Sequence, residues 1–98
     1  MTNYCQQRLL IVGFVEDVTA FDRSVEIPGA TDIDLLEHGP TRVVWQFVNE
    51  KPALSFLRIL SRRWSRLTFL LNYDREDHHL AGLVRARNGR LRHHRLKY

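Results

Sequence analysis

The sequence predicts an α+β two-layer sandwich, with two helices on a largely antiparallel sheet and a C-terminal β-hairpin. Three observations carry that expectation. Along the chain, apolar residues switch twice between a two-residue alternation and a helical spacing. Asn88-Gly89 separates two long runs, and both residues accept the positive φ of a type I′ hairpin turn. The chain has 98 residues, enough for one core and too few for two, so residues 1–98 are expected to form a single domain.

Arg8 to Phe14 is short, apolar and rich in β-formers, and reads as the first strand. Val15, Val18, Phe21 and Val25 recur at helical spacing, with Glu16 and Asp17 at the front, where the helix dipole favours acids. Residues 26–40 are irregular. Pro28-Gly29 and Gly39-Pro40 bracket an acidic segment in which Ile33 and Leu35 alternate with Asp32 and Asp34, the pattern of a short strand. Thr41 to Val48 is a strand with Trp45 and Phe47 on one face.

Asn49 is a candidate N-cap, and Pro52 suits the first turn of a second helix. Ala53, Leu57, Leu60 and Trp64 make its apolar stripe, while Arg58, Arg62 and Arg63 fall largely outside it. Leu67 to Tyr73 alternates as a strand, and Asp74 to His78 is a polar turn. Leu80 to Arg87 and Arg90 to Lys97 are the hairpin arms. The order β-α-(β)-β-α-β-β-β is ferredoxin-like if the acidic segment supplies its strand.

Asn3-Tyr4-Cys5, Leu9, Ile11, Gly13, Val18 and Phe21 resemble the start of the YubB ferredoxin-like family. Trp45, Leu60-Ser61, the strand Leu67 to Tyr73, Gly82 and Asn88-Gly89 continue the resemblance, which covers most of residues 3–25 and 43–91. It implies a ferredoxin-like fold, a phage or plasmid setting, no established activity and no known catalytic residues. The family name describes a topology, not an iron–sulfur cluster. The chain departs from the family pattern at Trp64-Ser65, where relatives usually have an aromatic-Pro pair, and at Leu80, where they often have an aromatic.

Composition narrows the function classes. At 44% hydrophobic and 27% charged, the chain has the makeup of a folded soluble domain. A single cysteine, Cys5, permits no intrachain disulfide and no cysteine-rich metal site. It lies ahead of the first expected strand and is read as partly buried or inert. The apolar run beginning at Leu9 is too short to span a bilayer or to serve as a signal-peptide core. A cytoplasmic protein with no membrane partner is expected. No glycine-rich phosphate loop and no nucleophile elbow occur, so no enzyme activity and no cofactor are expected.

His78-His79 and His93-His94, with Asp74 and Asp77, supply metal-ligand types. In the Asn-Gly register, however, His94 pairs with Leu83 and His93 with Val84, which puts His79 about 15 Å along the strand. No metal site is expected.

Charge is more informative. The net charge of +4 hides a split: residues 1–40 carry two basic against seven acidic side chains, and residues 41–98 carry thirteen against four. The hairpin register sets Arg87 opposite Arg90 and Arg85 opposite Arg92, all on one face. Like charges directly opposite one another destabilise a sheet. An anionic partner, nucleic acid or acidic protein, is therefore expected at Arg85, Arg87, Arg90 and Arg92, with Arg62, Arg63 and Arg66 as extensions. The alternatives are that Asp32, Asp34 and Glu37 fold over the hairpin, or that the face is merely solvated.

Trp45, Phe47, Phe69 and Tyr73 are expected to face the helices, which leaves no aromatic platform for base stacking. On the opposite sheet face Leu10, Val12, Val44, Val48 and Leu70 form an apolar patch, a candidate for homodimer contact or partner docking. Inhibition of a host defence factor would be one use of such a patch. The competing reading is that the C-terminal strand or residues 26–40 cover it.

Overall fold

A computed structural model describes residues 5–24 and 31–98. They form β1 (Cys5–Val12), α1 (Val15–Ser24), β2 (Thr31–His38), β3 (Arg42–Asn49), α2 (Leu54–Arg63), β4 (Thr68–Arg75), a 3-10 turn (Glu76–His78), β5 (Leu80–Arg87) and β6 (Arg90–Lys97). Asn3, Tyr4, Val25, Glu26 and Pro28-Gly29, all used in the sequence reading, lie outside the described residues.

The strands make one six-stranded sheet in the order β2-β3-β1-β4-β5-β6, antiparallel at every joint. β1 and β2 therefore run the same way with β3 between them, and β3 and β4 run the same way with β1 between them. Each helix joins one of these split pairs.

One face of the sheet is the core. On β1 the burial alternates strictly, with Cys5, Gln7, Leu9 and Ile11 inside and Gln6 and Arg8 outside. Phe47, Phe69 and Tyr73 are buried on the same face, and Trp45 is half-buried against them. Val18 and Phe21 on α1 and Leu57 and Leu60 on α2 close over it. The Phe21 ring meets Phe69 and Trp64 edge-on, each at 5.5 Å between centroids, which ties the first helix to the sheet and to the end of the second.

Three local expectations change. β1 starts at Cys5 and not at Arg8, because Gln7 hides the alternation by being a polar residue at a buried position. The acidic segment supplies a full eight-residue strand, β2, with register shifts against β3. Asn49 does not cap α2. It ends β3, and its side-chain oxygen accepts from the Glu50 amide at 2.9 Å.

The cap role falls to a residue far away in sequence. Buried Gln7 accepts from the Ala53 amide and donates to the Lys51 carbonyl, both at 3.0 Å. One β1 side chain thus satisfies two backbone groups at the entry to α2.

On β5, a Cβ at Gly82 would collide with the hydroxyl end of the Tyr73 ring. Tyr73 lies there with its hydroxyl 2.6 Å from His93 Nε2 across the sheet. Gly82→Ala is expected to destabilise the fold by about 1–3 kcal/mol through overpacking. At an unobstructed strand glycine the same change stabilises by about 0.5–1 kcal/mol. Urea denaturation gives the sign.

Candidate anion-binding face

The hairpin is built as its turn dictates. Asn88 at φ 50° and Gly89 at φ 78° supply the two positive dihedrals of the type I′ turn. They fix the pairs Arg85 with Arg92 and Arg87 with Arg90. Val84 and Ala86 point into the core and are fully buried, so Arg85 and Arg87 must point away from it. Leu91 packs on the core edge, so Arg90 and Arg92 join them on the open face. The four arginines and Asn88 line a shallow concavity of 410 Å3.

The hairpin tip is held from behind. Ser61 is fully buried on α2, accepts from the Gly89 amide at 2.9 Å and donates to the Arg58 carbonyl at 3.1 Å. This link brings Arg62 against the turn at Gly89, so the basic surface continues around the tip. Arg63 is exposed on the next position of α2. Arg66 stands apart from the group. Its guanidinium lies over the Phe14 ring at 5.2 Å and pairs with Asp17 at 3.2 Å and Glu16 at 3.6 Å, at the start of α1.

No acid answers the four hairpin arginines among the described residues. Arg87 Nη1 donates to the Thr68 hydroxyl at 3.0 Å, a neutral acceptor. The ion pairs lie elsewhere: His38 with Asp22 at 2.8 Å, Arg42 with Glu37 at 2.9 Å, His78 with Asp77 at 3.3 Å, and Arg66 with its two carboxylates. Residues 31–38 form the opposite edge of the sheet, about 24 Å from β6 by strand spacing. The alternative in which Asp32, Asp34 and Glu37 fold over the hairpin is therefore overturned. Residues 26–30 lie outside the described part.

The apolar candidates divide. Leu10 sits between Val44 and Leu70 in one cross-strand row, with Val12 next along β1. Val48 is separated from them by a polar row of Gln46, Arg8 and Asn72, in which Arg8 donates to Gln46 at 3.2 Å. β2 and β6 flank this face as edge strands and do not cover it. No Phe, Tyr or Trp occurs among the described strand residues on this face.

The remaining titratable groups sit outside this cluster. His94 pairs with Leu83 on the open face, and His93 pairs with Val84 on the core side. Among the described residues no group of three or more His, Cys, Asp or Glu side chains is placed to hold a metal. No described helix is long and apolar enough to cross a membrane. Cys5 belongs to β1 rather than preceding it. It is fully buried, and that burial pushes its thiol up to about 11.

The buried residues that position the site, Gln7 and Ser61, escape the sequence reading because each satisfies backbone atoms distant along the chain. The capping pattern that would reveal a local partner is absent. No protein-family model, curated protein or solved structure matches this chain.

Two titrations follow. The Cys5 thiol ionises at 9.0 when unfolded and at about 11 when folded, so stability is complete below pH 9 and falls between pH 9 and 11. Labelling by a thiol reagent at pH 8 is expected to be slow in the native protein and immediate in urea. His93 is held below the ordinary imidazole range by burial, then by Arg95. The unfolded chain takes up this proton first, so stability falls as the pH drops below about 6.5. Urea midpoints at pH 7.5 and 5.5 are expected to differ less in His93→Gln than in the parent.

Proposed function

We propose that this chain is a small non-catalytic binding module that grips the phosphate backbone of a nucleic acid through Arg85, Arg87, Arg90 and Arg92. The observation that carries this reading is four guanidinium groups on one sheet face, in two adjacent strands, with no carboxylate partner among the described residues. Cross-strand neighbours stand about 5 Å apart, and successive same-face residues about 6.7 Å apart along a strand. Mutual repulsion at those spacings is relieved when an anion enters. Guanidinium forks suit phosphate oxygens in particular.

No Phe, Tyr or Trp stands beside the four arginines among the described strand residues of the open face, which favours backbone contact without base stacking, hence weak sequence preference. Arg62 beside the turn lengthens the track. The apolar group of Leu10, Val12, Val44 and Leu70 is small and bounded by polar rows, which favours the electrostatic reading over a docking face.

We further propose a ferredoxin-like topology, which the order β4-β1-β3-β2 and the two split connections support, with β5 and β6 added beyond β4. Kinship with the YubB ferredoxin-like proteins of phages and plasmids is part of the same proposal and rests on the sequence motifs.

Heparin retention and fluorescence anisotropy with a short DNA duplex test the reading. Contact with four phosphates gives a slope of log K against log salt of about −3 to −4, so affinity falls about a hundredfold between 50 and 200 mM salt. Arg85→Glu with Arg92→Glu is expected to abolish binding while circular dichroism stays unchanged. Absence of binding at 50 mM salt, or full binding by the double variant, overturns the nucleic-acid reading. An acidic protein surface is then the remaining anionic partner.

A further inference from the structure

Among the described residues the sheet has two free edges. β2 and β6 are each eight residues long, and each is hydrogen-bonded to a neighbouring strand on one side only. Every residue of β2 is exposed, including Ile33, Leu35 and Leu36, each nearly half accessible. A long exposed edge strand with apolar residues is a template for pairing with another strand.

The two edges carry opposite charge. β2 holds Asp32, Asp34 and Glu37 and no Lys or Arg, and β6 holds Arg90, Arg92, Arg95 and Lys97 and no acid. Pairing β2 with β2, or β6 with β6, sets like charges directly opposite one another. Pairing β2 with β6 sets opposite charges together.

Chain direction agrees with charge. Five antiparallel joints across the sheet leave β2 and β6 running in opposite senses. A second copy translated across the sheet therefore presents its β2 antiparallel to β6 of the first, and the ladder continues in the same pattern. The faces match as well. Asp34 and Glu37 pair with Gln46 and Val44 and so lie on the open face, where Arg90 and Arg92 also lie. A slide of two residues brings Asp34 beside Arg92 and Glu37 beside Arg90. The Glu37–Arg42 contact is half exposed on both sides, so Glu37 is free to share its charge.

We infer that this chain assembles head to tail with further copies of itself, the acidic edge β2 of one copy adding to the basic edge β6 of the next. The joint is heterologous, so assembly is open-ended and does not close as a dimer. Each joint uses backbone hydrogen bonds and a few charges and buries little area, so it is weak, concentration-dependent and sensitive to salt. Arg85 and Arg87 stay free on the open face and repeat about every 29 Å along the assembly, one six-strand sheet per copy. This inference does not require the phosphate reading, although Arg90 and Arg92 line the concavity as well as the β6 edge, because what it requires is the pairing of strand edges.

Sedimentation velocity on the full chain at low salt, from about ten to several hundred micromolar, tests the assembly. Two charge-reversed variants complete the experiment: Asp34→Arg with Glu37→Arg, and Arg90→Glu with Arg92→Glu. The parent is expected to grow past dimer with concentration and to return to monomer at 0.5 M salt. Each variant alone is expected to stay monomeric, since the open-face charges that would meet at the joint then carry the same sign on both edges. An equimolar mixture is expected to regain the association, because each variant then meets a complementary edge; misfolded variants cannot do this. A parent that stays monomeric, one that stops at a closed dimer, or a mixture that fails to associate overturns the inference. Heparin retention by the Asp34→Arg/Glu37→Arg variant reports on the arginine face separately.

Discussion

Two ten-residue helices can shield only one face of a six-stranded sheet, and the other features of this protein follow from that limit. The shielded face takes the large apolar side chains, with Phe21, Phe47 and Phe69 near its centre. What remains is an open face and two strand edges, and the polar and charged side chains collect there. The arginine cluster is a product of the same constraint. Val84 and Ala86 must point inward, so the residues between and beside them point outward, and those residues are arginine.

Two buried polar side chains keep this arrangement in register. Gln7 supplies the entry to α2 with side-chain hydrogen-bond partners that Asn49 does not provide, and Ser61 fastens the other end of the same helix to the hairpin turn. α2 is therefore tied at its entry to the central strand and at its last turn to the hairpin. The hairpin arms lie far from the chain's other charged segment, yet their tip is positioned by the packed core. A fixed tip holds Arg87 and Arg90 at a defined separation and keeps Arg62 beside them, which suits an extended anion better than a mobile arm does.

The sheet also keeps its charges apart. Residues 31–38 and the hairpin occupy opposite edges, so their charges cannot neutralise each other within one chain. At about 24 Å the attraction across ordinary salt is largely screened, since the Debye length is about 8 Å. The result is a lopsided surface: among the described residues the hairpin arginines have no carboxylate partner, and the acidic edge has Arg42 beside Glu37 only. Binding of an outside anion and pairing of one edge with another copy's opposite edge are both answers to that imbalance; they share Arg90 and Arg92, while Arg85 and Arg87 serve the anion alone.

The sequence by itself determined the elements that depend on neighbours in the chain. Asn88-Gly89 fixed the hairpin and with it the pairing of Arg85 with Arg92, because turn chemistry and a two-residue period are local properties. The alternation of Phe69, Leu71 and Tyr73 likewise settled which side faces the core. Only the tertiary structure decided that buried Gln7 extends β1 and caps α2, that Ser61 holds the hairpin, and that Arg66 is absorbed by Glu16 and Asp17. Each of these contacts joins residues distant in sequence, and no periodicity encodes such a distance. The same holds for the acidic segment. Its pattern announced a strand, but its place at the far edge, out of reach of the arginines, is a property of strand order, which is set by how both split connections cross the sheet.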